Sequence, residues 1–153
     1  MNKPIKKFER LICSNRKAYF EYEILDTIEA GIVLIGCEVK SLIGHKASLD
    51  GAYGFIENGE LWMHNAHIDE YVNKITFTTY NPIRKRKLLL KKAEIRKWAA
   101  QASQKGFTII PLDFHLANGK IKVKLGIAKG KQLHDKRQAD KKRDAAREIQ
   151  QYE

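Results

Sequence analysis

At 153 residues the chain suits one domain, since a chain near this size buries roughly two-thirds of the surface its unfolded form exposes. It holds 29 Lys and Arg against 18 Asp and Glu, a formal charge of +11. A surplus of that size repels itself and points to a polyanionic partner, either nucleic acid or an anionic membrane surface. The longest apolar run, Ile32 to Ile35, is far short of the roughly 20 residues of a membrane span. Met1 to Arg10 is basic but lacks the apolar core of a signal peptide. Together these predict a cytoplasmic protein with no membrane segment. Cys13 and Cys37, the only cysteines, are then expected as reduced core or edge residues, with a disulfide between them the less favoured alternative.

Met1 to Ile12 reads as a polar lead-in containing Pro4. From there Ala18, Phe20, Tyr22 and Ile24 alternate with Tyr19, Glu21, Glu23 and Leu25, the period of a half-buried strand. Glu29-Ala30-Gly31 is expected to interrupt it, with Ile32 to Ile35 resuming as a buried strand. Val39, Leu42 and Ile43 sit at helical spacing, so Cys37 to Ile43 is predicted as a short helix closed by Gly44, a strand being the alternative. Tyr53 to Ile56 and Glu60 to His64 flank Asn58-Gly59, a strong hairpin signal, with the second strand expected to reach Ile68. Asp69 to Arg84 is a long polar and aromatic connection, a kind that is often functional. Leu88, Leu89, Lys92, Ile95, Trp98, Ala99 and Ala102 share one helical face, which predicts a helix over Lys87 to Lys105 ended by Gly106. Phe107 to Phe114 and Lys120 to Ala128 form a second hairpin around Asn118-Gly119.

After Ala128 the core signal stops. Lys129 to Glu153 carries eight Lys or Arg against five acids, with Leu133 and Ile149 its only large aliphatics. Such a segment cannot bury enough apolar surface to offset its ordering entropy, so it is expected to be disordered alone and helical once docked. The chain thus divides into a domain over 1–128 and a basic tail over 129–153. About six short, mostly antiparallel strands with Gly corners favour a mainly β fold closed as a small barrel, for which the oligonucleotide-binding type is plausible.

Catalytic sets do not assemble. His64 and His67 are three apart, which on a strand puts them on opposite faces. The serines lack an elbow or triad context, and the glycines form no phosphate-cradling loop. No catalytic residue, metal or cofactor is expected. Basic clusters carry more: Arg84 to Lys97 places eight cations against Glu94 alone within fourteen residues, enough to neutralise a run of phosphates. The tail is a second block, suggesting two RNA surfaces. Tyr19, Tyr22, Tyr53, Trp62, Tyr71 and Tyr80 are stacking candidates or, equally, packing residues.

Several motifs occur in an order and spacing that resembles small protein B, the bacterial partner of transfer-messenger RNA. They are Asn15-Arg16-Lys17-Ala18, Glu29-Ala30-Gly31, Glu38-Val39-Lys40-Ser41-Leu42, Arg84 to Leu90, and Ala128-Lys129-Gly130-Lys131 followed by His134-Asp135-Lys136-Arg137. The resemblance implies a six-stranded antiparallel barrel of the oligonucleotide-binding type with two or three peripheral helices. It implies a non-enzymatic adaptor that binds the tRNA-like domain of transfer-messenger RNA and delivers it to stalled ribosomes for rescue and tagging. The tail would occupy the small-subunit decoding centre and the empty message channel. Elongation factor Tu and alanyl-tRNA synthetase would be partners through the RNA, and the protein a monomer.

On the same ground Asn15, Arg16, Lys17, Glu29, Gly31, Lys40, Ser41, Arg84, Arg86, Lys87, Leu89 and Lys91 are expected at the RNA. Lys129, Gly130, Lys131, His134, Asp135, Lys136 and Arg137 are expected at the ribosome, His134 as a stacking ring. Lys91 stands where several members of the family have an uncharged polar residue, and Gln132 and Leu133 loosen the tail's basic run. An RNA-processing enzyme and a structural ribosomal protein are the competing classes, and the ordered motifs speak against both.

Overall fold

A computed structural model of the chain describes residues 9–71 and 79–131. In chain order its elements begin with β1 (Glu9–Ser14), α1 (Arg16–Glu21), β2 (Tyr22–Ile32), α2 (Gly36–Ile43) and β3 (Ala47–Ser48). Then come β4 (Tyr53–Glu57), β5 (Glu60–His64), β6 (His67–Ile68) and β7 (Arg86–Leu89). The last are α3 (Lys92–Ala102), β8 (Phe107–Ala117) and β9 (Lys120–Gly130). Every strand pair is antiparallel.

Six strands close a ring in the order β8, β4, β5, β7, β2, β9 and back to β8. This is the mainly β, six-stranded barrel expected, with three helices around it among the described residues. Closure removes the exposed sheet edges that invite aggregation. It depends on two strands changing partner along their length. β8 pairs with β9 along one edge, while its other edge meets β4 at Ile109 and β1 from Asp113 to Ala117. The change falls where Pro111 has no N–H to give and the strand bulges between Pro111 and Asp113. At the β4 crossing, a Cβ on Gly54 would lie 2.7 Å from Ile109 Cγ2, so only glycine lets these strands touch. The two Asn-Gly turns hold the hairpins, with φ of 51° at both Asn58 and Asn118.

Inside the ring, Ala30, Leu61, Met63, Leu88, Ile109, Phe114, Val123, Leu125 and Ile127 form the core. Trp98 and Ile95 are the buried face of α3, which packs on β8 and β9. Both cysteines are free thiols. Cys13 Sγ donates to Ala47 O at 3.4 Å, and burial pushes its pKa up.

Several elements differ from the sequence reading, each for a local reason. The lead-in contains a strand, β1, paired with β8. The alternation from Ala18 begins as a helix: Asn15 Oδ1 accepts from Ala18 N at 3.2 Å as its N-cap. Glu29-Ala30-Gly31 does not interrupt β2. β2 passes from β9 to β7 at this point, where the glycine leaves room for a close approach: a Cβ on Gly31 would lie a tight 3.2 Å from Leu89 Cβ. Val33 and Ile35, expected in a buried strand, are 47% and 45% exposed outside any strand. β5 stops at His64, where Asn65 turns at φ 62°, and Ile68 belongs to β6.

The helix expected from Lys87 starts at Lys92, because Arg86 to Leu89 alternates inward and outward as β7. Three consecutive leucines satisfy either period. β9 continues through Gly130, two residues beyond the boundary expected at Ala128, and Lys131 N–H donates to Glu21 O at 2.9 Å. The short helix at Cys37 to Ile43 is present as α2, with Gly44 at its C-cap. Of the connection Asp69 to Arg84, residues 72–78 lie outside the described residues, as does the tail from residue 132.

Candidate nucleic-acid interface

The basic run at Arg84 to Lys87 divides by strand alternation. Arg86 points into the protein with none of its side chain exposed. Its Nε donates to Glu38 Oε2 at 2.7 Å, and its other nitrogens to Ala66 O at 2.7 Å, Pro82 O at 3.0 Å and Tyr80 Oη at 3.1 Å. Arg84 grips the same carboxylate with two nitrogens, Nε to Oε2 at 3.0 Å and Nη2 to Oε1. Glu38 also accepts from Ile35 N at 3.0 Å, capping α2 from inside its first turn, and from Tyr80 Oη at 3.1 Å. Burial alone would raise the Glu38 carboxyl, but the donors from Arg84, Ile35 and Arg86 outweigh it and hold it below its ordinary value. Burial and the Glu38 charge push the Tyr80 phenol up to about 12.

Four of the residues expected at the RNA have their side chains engaged within the protein itself. Arg86 is sealed in this hub, and Arg84 is committed to Glu38. Ser41 is buried, and its hydroxyl donates to Asp69 O at 2.7 Å. Asn15 is 3% exposed and donates to Pro111 O at 3.0 Å and Leu49 O at 3.3 Å, tying α1 to the barrel. The residue that sequence reasoning passed over is Glu38 itself. A lone acid in an apolar helical stretch followed by a basic strand was the available signal.

The remaining expected residues face outward. Lys87 Nζ meets Glu60 Oε1 at 3.0 Å, and Lys85 meets Glu57 at 3.1 Å while lying 4.5 Å over the Trp62 ring. Exposed pairs of this kind contribute little to stability and can be exchanged for phosphate contacts. Leu89 is 50% exposed on the outside of β7. Strand register lines it up with Gly31 on β2, Lys122 on β9 and His115 on β8, one row across four strands. Beside it runs a second row, Glu29, Lys124 and Asp113. Glu29 and Leu89 thus share one face with two lysines that sequence reasoning had seen only as the polar half of a strand.

Within this face His115 Nε2 lies 3.0 Å from Glu29 Oε2, and its Nδ1 lies 2.7 Å from Asp113 Oδ1. Burial would lower the ring's pKa, but hydrogen bonds to Asp113 and Glu29 and their charges outweigh it and raise it from 6.5. Arg16, Lys17, Lys40 and Lys91 are exposed elsewhere on the surface. Lys17 is 4.0 Å from Glu21, and Lys40 lies 5.3 Å over Tyr71. Tyr53 stacks on His64 with centroids 5.1 Å apart.

Lys129, Gly130 and Lys131 were expected in the tail. The first two end β9, and Lys131 is tied back to α1 through Nζ to Tyr19 O at 3.2 Å. His134, Asp135, Lys136 and Arg137 lie outside the described residues.

A closed antiparallel barrel of the oligonucleotide-binding type, carrying lysine rows on its outer face, defines the class. Residues 12–153 match the family model described as SmpB protein. The chain is 47% identical over 141 residues to the SsrA-binding protein of Thermosynechococcus vestitus, covering 92% of this chain and 93% of that one. It is 52% identical over 139 residues to the SsrA-binding protein of Chlorobaculum tepidum, covering 90% and 88%. It resembles a chain in the solved structure "tmRNA-SmpB: a journey to the center of the bacterial ribosome" with TM-score 0.66 and 43% identity, covering 82% of this chain and 92% of that one. The chain belongs to the SmpB family. No helix among the described residues is long and apolar enough to cross a membrane.

Proposed function

We propose that the chain is a non-enzymatic, cytoplasmic adaptor that binds the tRNA-like domain of transfer-messenger RNA and brings it to stalled ribosomes for trans-translation. The observation that carries this reading is the family match from residue 12 to the end of the chain, with relatives named for binding SsrA, the transfer-messenger RNA. The barrel face supports it. Glu29 and Leu89 meet there beside Lys122 and Lys124, so lysines can neutralise phosphates while the carboxylate accepts from 2′-hydroxyls or base amino groups. Lys87, Lys91, Arg16, Lys17 and Lys40 extend the cationic surface. Residues 132–153, with His134, Asp135, Lys136 and Arg137, are assigned to the decoding centre and the message channel. Elongation factor Tu and alanyl-tRNA synthetase are reached through the RNA, and the adaptor acts as a monomer.

Sequencing the RNA that co-purifies with the full chain tests the partner: transfer-messenger RNA is expected, and ribosomal RNA in its place would reject the reading. Truncation tests the division of labour. Lys131 holds the end of β9 to α1, so the cut belongs after it. The truncated protein is expected to keep its RNA affinity and lose tagging on stalled ribosomes. If it no longer bound RNA, the assignment of the two surfaces would be wrong.

A further inference from the structure

Glu29 and His115 are 86 residues apart and sit on strands that are not neighbours, since β9 lies between β2 and β8. The imidazole spans that strand and holds a carboxylate at each end, Glu29 at 3.0 Å and Asp113 at 2.7 Å. An ionised carboxylate only accepts, so both ring nitrogens must donate, and only the doubly protonated imidazolium has two N–H groups. Neutral His115 can keep one bond and must release the other.

The groups around the ring come from four strands. β8 supplies Asp113. β9 supplies Lys122, paired in register with His115, and Lys124, paired with Asp113. β2 supplies Glu29, and β1 places apolar Leu11 in register with His115, with Ser14 paired to Asp113. Two carboxylates and two lysines balance, so the charge on the ring decides whether the cluster is positive or neutral. The cluster opens on a cleft of about 450 Å³ whose wall includes Leu11, Thr27 and Ile28, a size that admits a nucleotide. His115 itself is only 13% exposed, whereas Glu29 is 48% exposed. The ring is a fixed anchor and the carboxylate is the part that meets solvent.

We infer that His115, as the imidazolium, is a positioning residue for Glu29 in RNA binding, and that this chain's grip on RNA is coupled to protonation of that one ring. The inference deepens the functional reading above and rests on it. Holding Oε2 leaves Oε1 as an oriented acceptor for an RNA hydroxyl or amino group and offsets the acid's charge where phosphates approach. The 2.7 Å bond to the less exposed Asp113 is the one the neutral ring keeps, so when the proton leaves, Glu29 loses its donor and the ring's compensating charge. Bound RNA adds negative charge beside the ring and favours the imidazolium further, so binding takes up protons. Affinity is therefore highest below the titration range of the free protein's ring, which lies above 6.5, and declines as pH rises through it. The loss amounts to roughly tenfold for each unit by which RNA raises the ring's pKa.

The test measures affinity of the full chain for a transcript of the tRNA-like domain of transfer-messenger RNA, at constant ionic strength across pH 6 to 9. It compares the native chain with H115Q and E29Q. The native chain is expected to weaken with pH. H115Q keeps one donor and is expected to bind more weakly at pH 6 with a flat profile, and E29Q is expected to bind more weakly with its pH dependence moved to lower pH. Proton NMR of the His115 ring in the free chain gives a second readout independent of RNA. Its titration is expected above 6.5 and is expected to fall in E29Q. Native and H115Q profiles of equal slope, or a ring titration unmoved by E29Q, would overturn the inference while leaving the functional reading standing. Absence of binding by every form at every pH would overturn the reading, and the inference with it.

Discussion

Two clusters in this molecule are built from the same residue types and do opposite things. Glu38 with Arg84 and Arg86 joins α2 to the start of β7 in the interior. Glu29 and Asp113 with His115, Lys122 and Lys124 lie across β2, β9 and β8 on the outside. The first cluster is dry: Glu38 has no side-chain exposure, and five donors from Ile35, Tyr80, Arg84 and Arg86 saturate its two oxygens. Glu38 and Arg86 are spent on geometry, and only Arg84, 30% exposed, reaches solvent. The second is half wet, and its lysines make no ion pair among the described residues. Basic residues near one another in sequence are therefore a poor guide to a binding face. What matters is which of them the strand turns outward.

The comparison breaks most decisively at the hub. Removing Glu38 strands the buried charge of Arg86, so E38A is expected to destabilise the fold by about 3–5 kcal/mol, read as a fall in denaturant midpoint. R86A leaves Glu38 held by Arg84 and is expected to cost less. If RNA affinity of R86A, measured where the variant remains folded, dropped while its stability stayed native, Arg86 would belong to the interface and the division would fail. A smaller and opposite effect is expected outside. Replacing Lys122 and Lys124 with Gln, which adds no carboxylate beside Glu29 and Asp113, should leave stability within about 0.5 kcal/mol of native. The same double change should weaken RNA binding and reduce the salt slope by about 2 in log–log terms, near 0.9 per lost phosphate contact. An unchanged slope would move the RNA to another face.

The smallest effects are in pH. Glu38 titrates below its ordinary value in the folded chain, so its contribution is present above the unfolded carboxyl's pKa and is lost as pH falls through the lowered value. His115 titrates above its ordinary value, so its contribution is full below 6.5 and is lost as pH rises through the raised value. Denaturation midpoints against pH should therefore sag at both ends. E38Q should flatten the acid limb and H115Q the other. A variant that flattened the wrong limb would reverse the assignment.

Local chemistry made part of this legible. Asn58-Gly59 and Asn118-Gly119 declared both hairpins because few dipeptides tolerate positive φ twice in succession. Val39, Leu42 and Ile43 declared α2 by their spacing, and the charge surplus declared a polyanionic partner. The motif order named the family before any fold was seen. The region from Arg84 to Leu90 was misread, because three successive leucines fit a helical face as well as a strand. Arg86, expected at the RNA on the family resemblance, is turned inward because it opens β7.

What the sequence by itself determined was the inventory: a basic, mainly β chain, its turns, a short helix at Cys37 to Ile43, and the family to which it belongs. Only the tertiary structure decided the assignments within that inventory. Closing the ring put β9 between β2 and β8, which brought His115 to Glu29 and set Lys122 and Lys124 beside them. Strand alternation then turned Arg86 inward and Lys87 outward. These outcomes depend on register between segments far apart in the chain, and register is settled by burial of whole faces at once rather than by any residue's own preference.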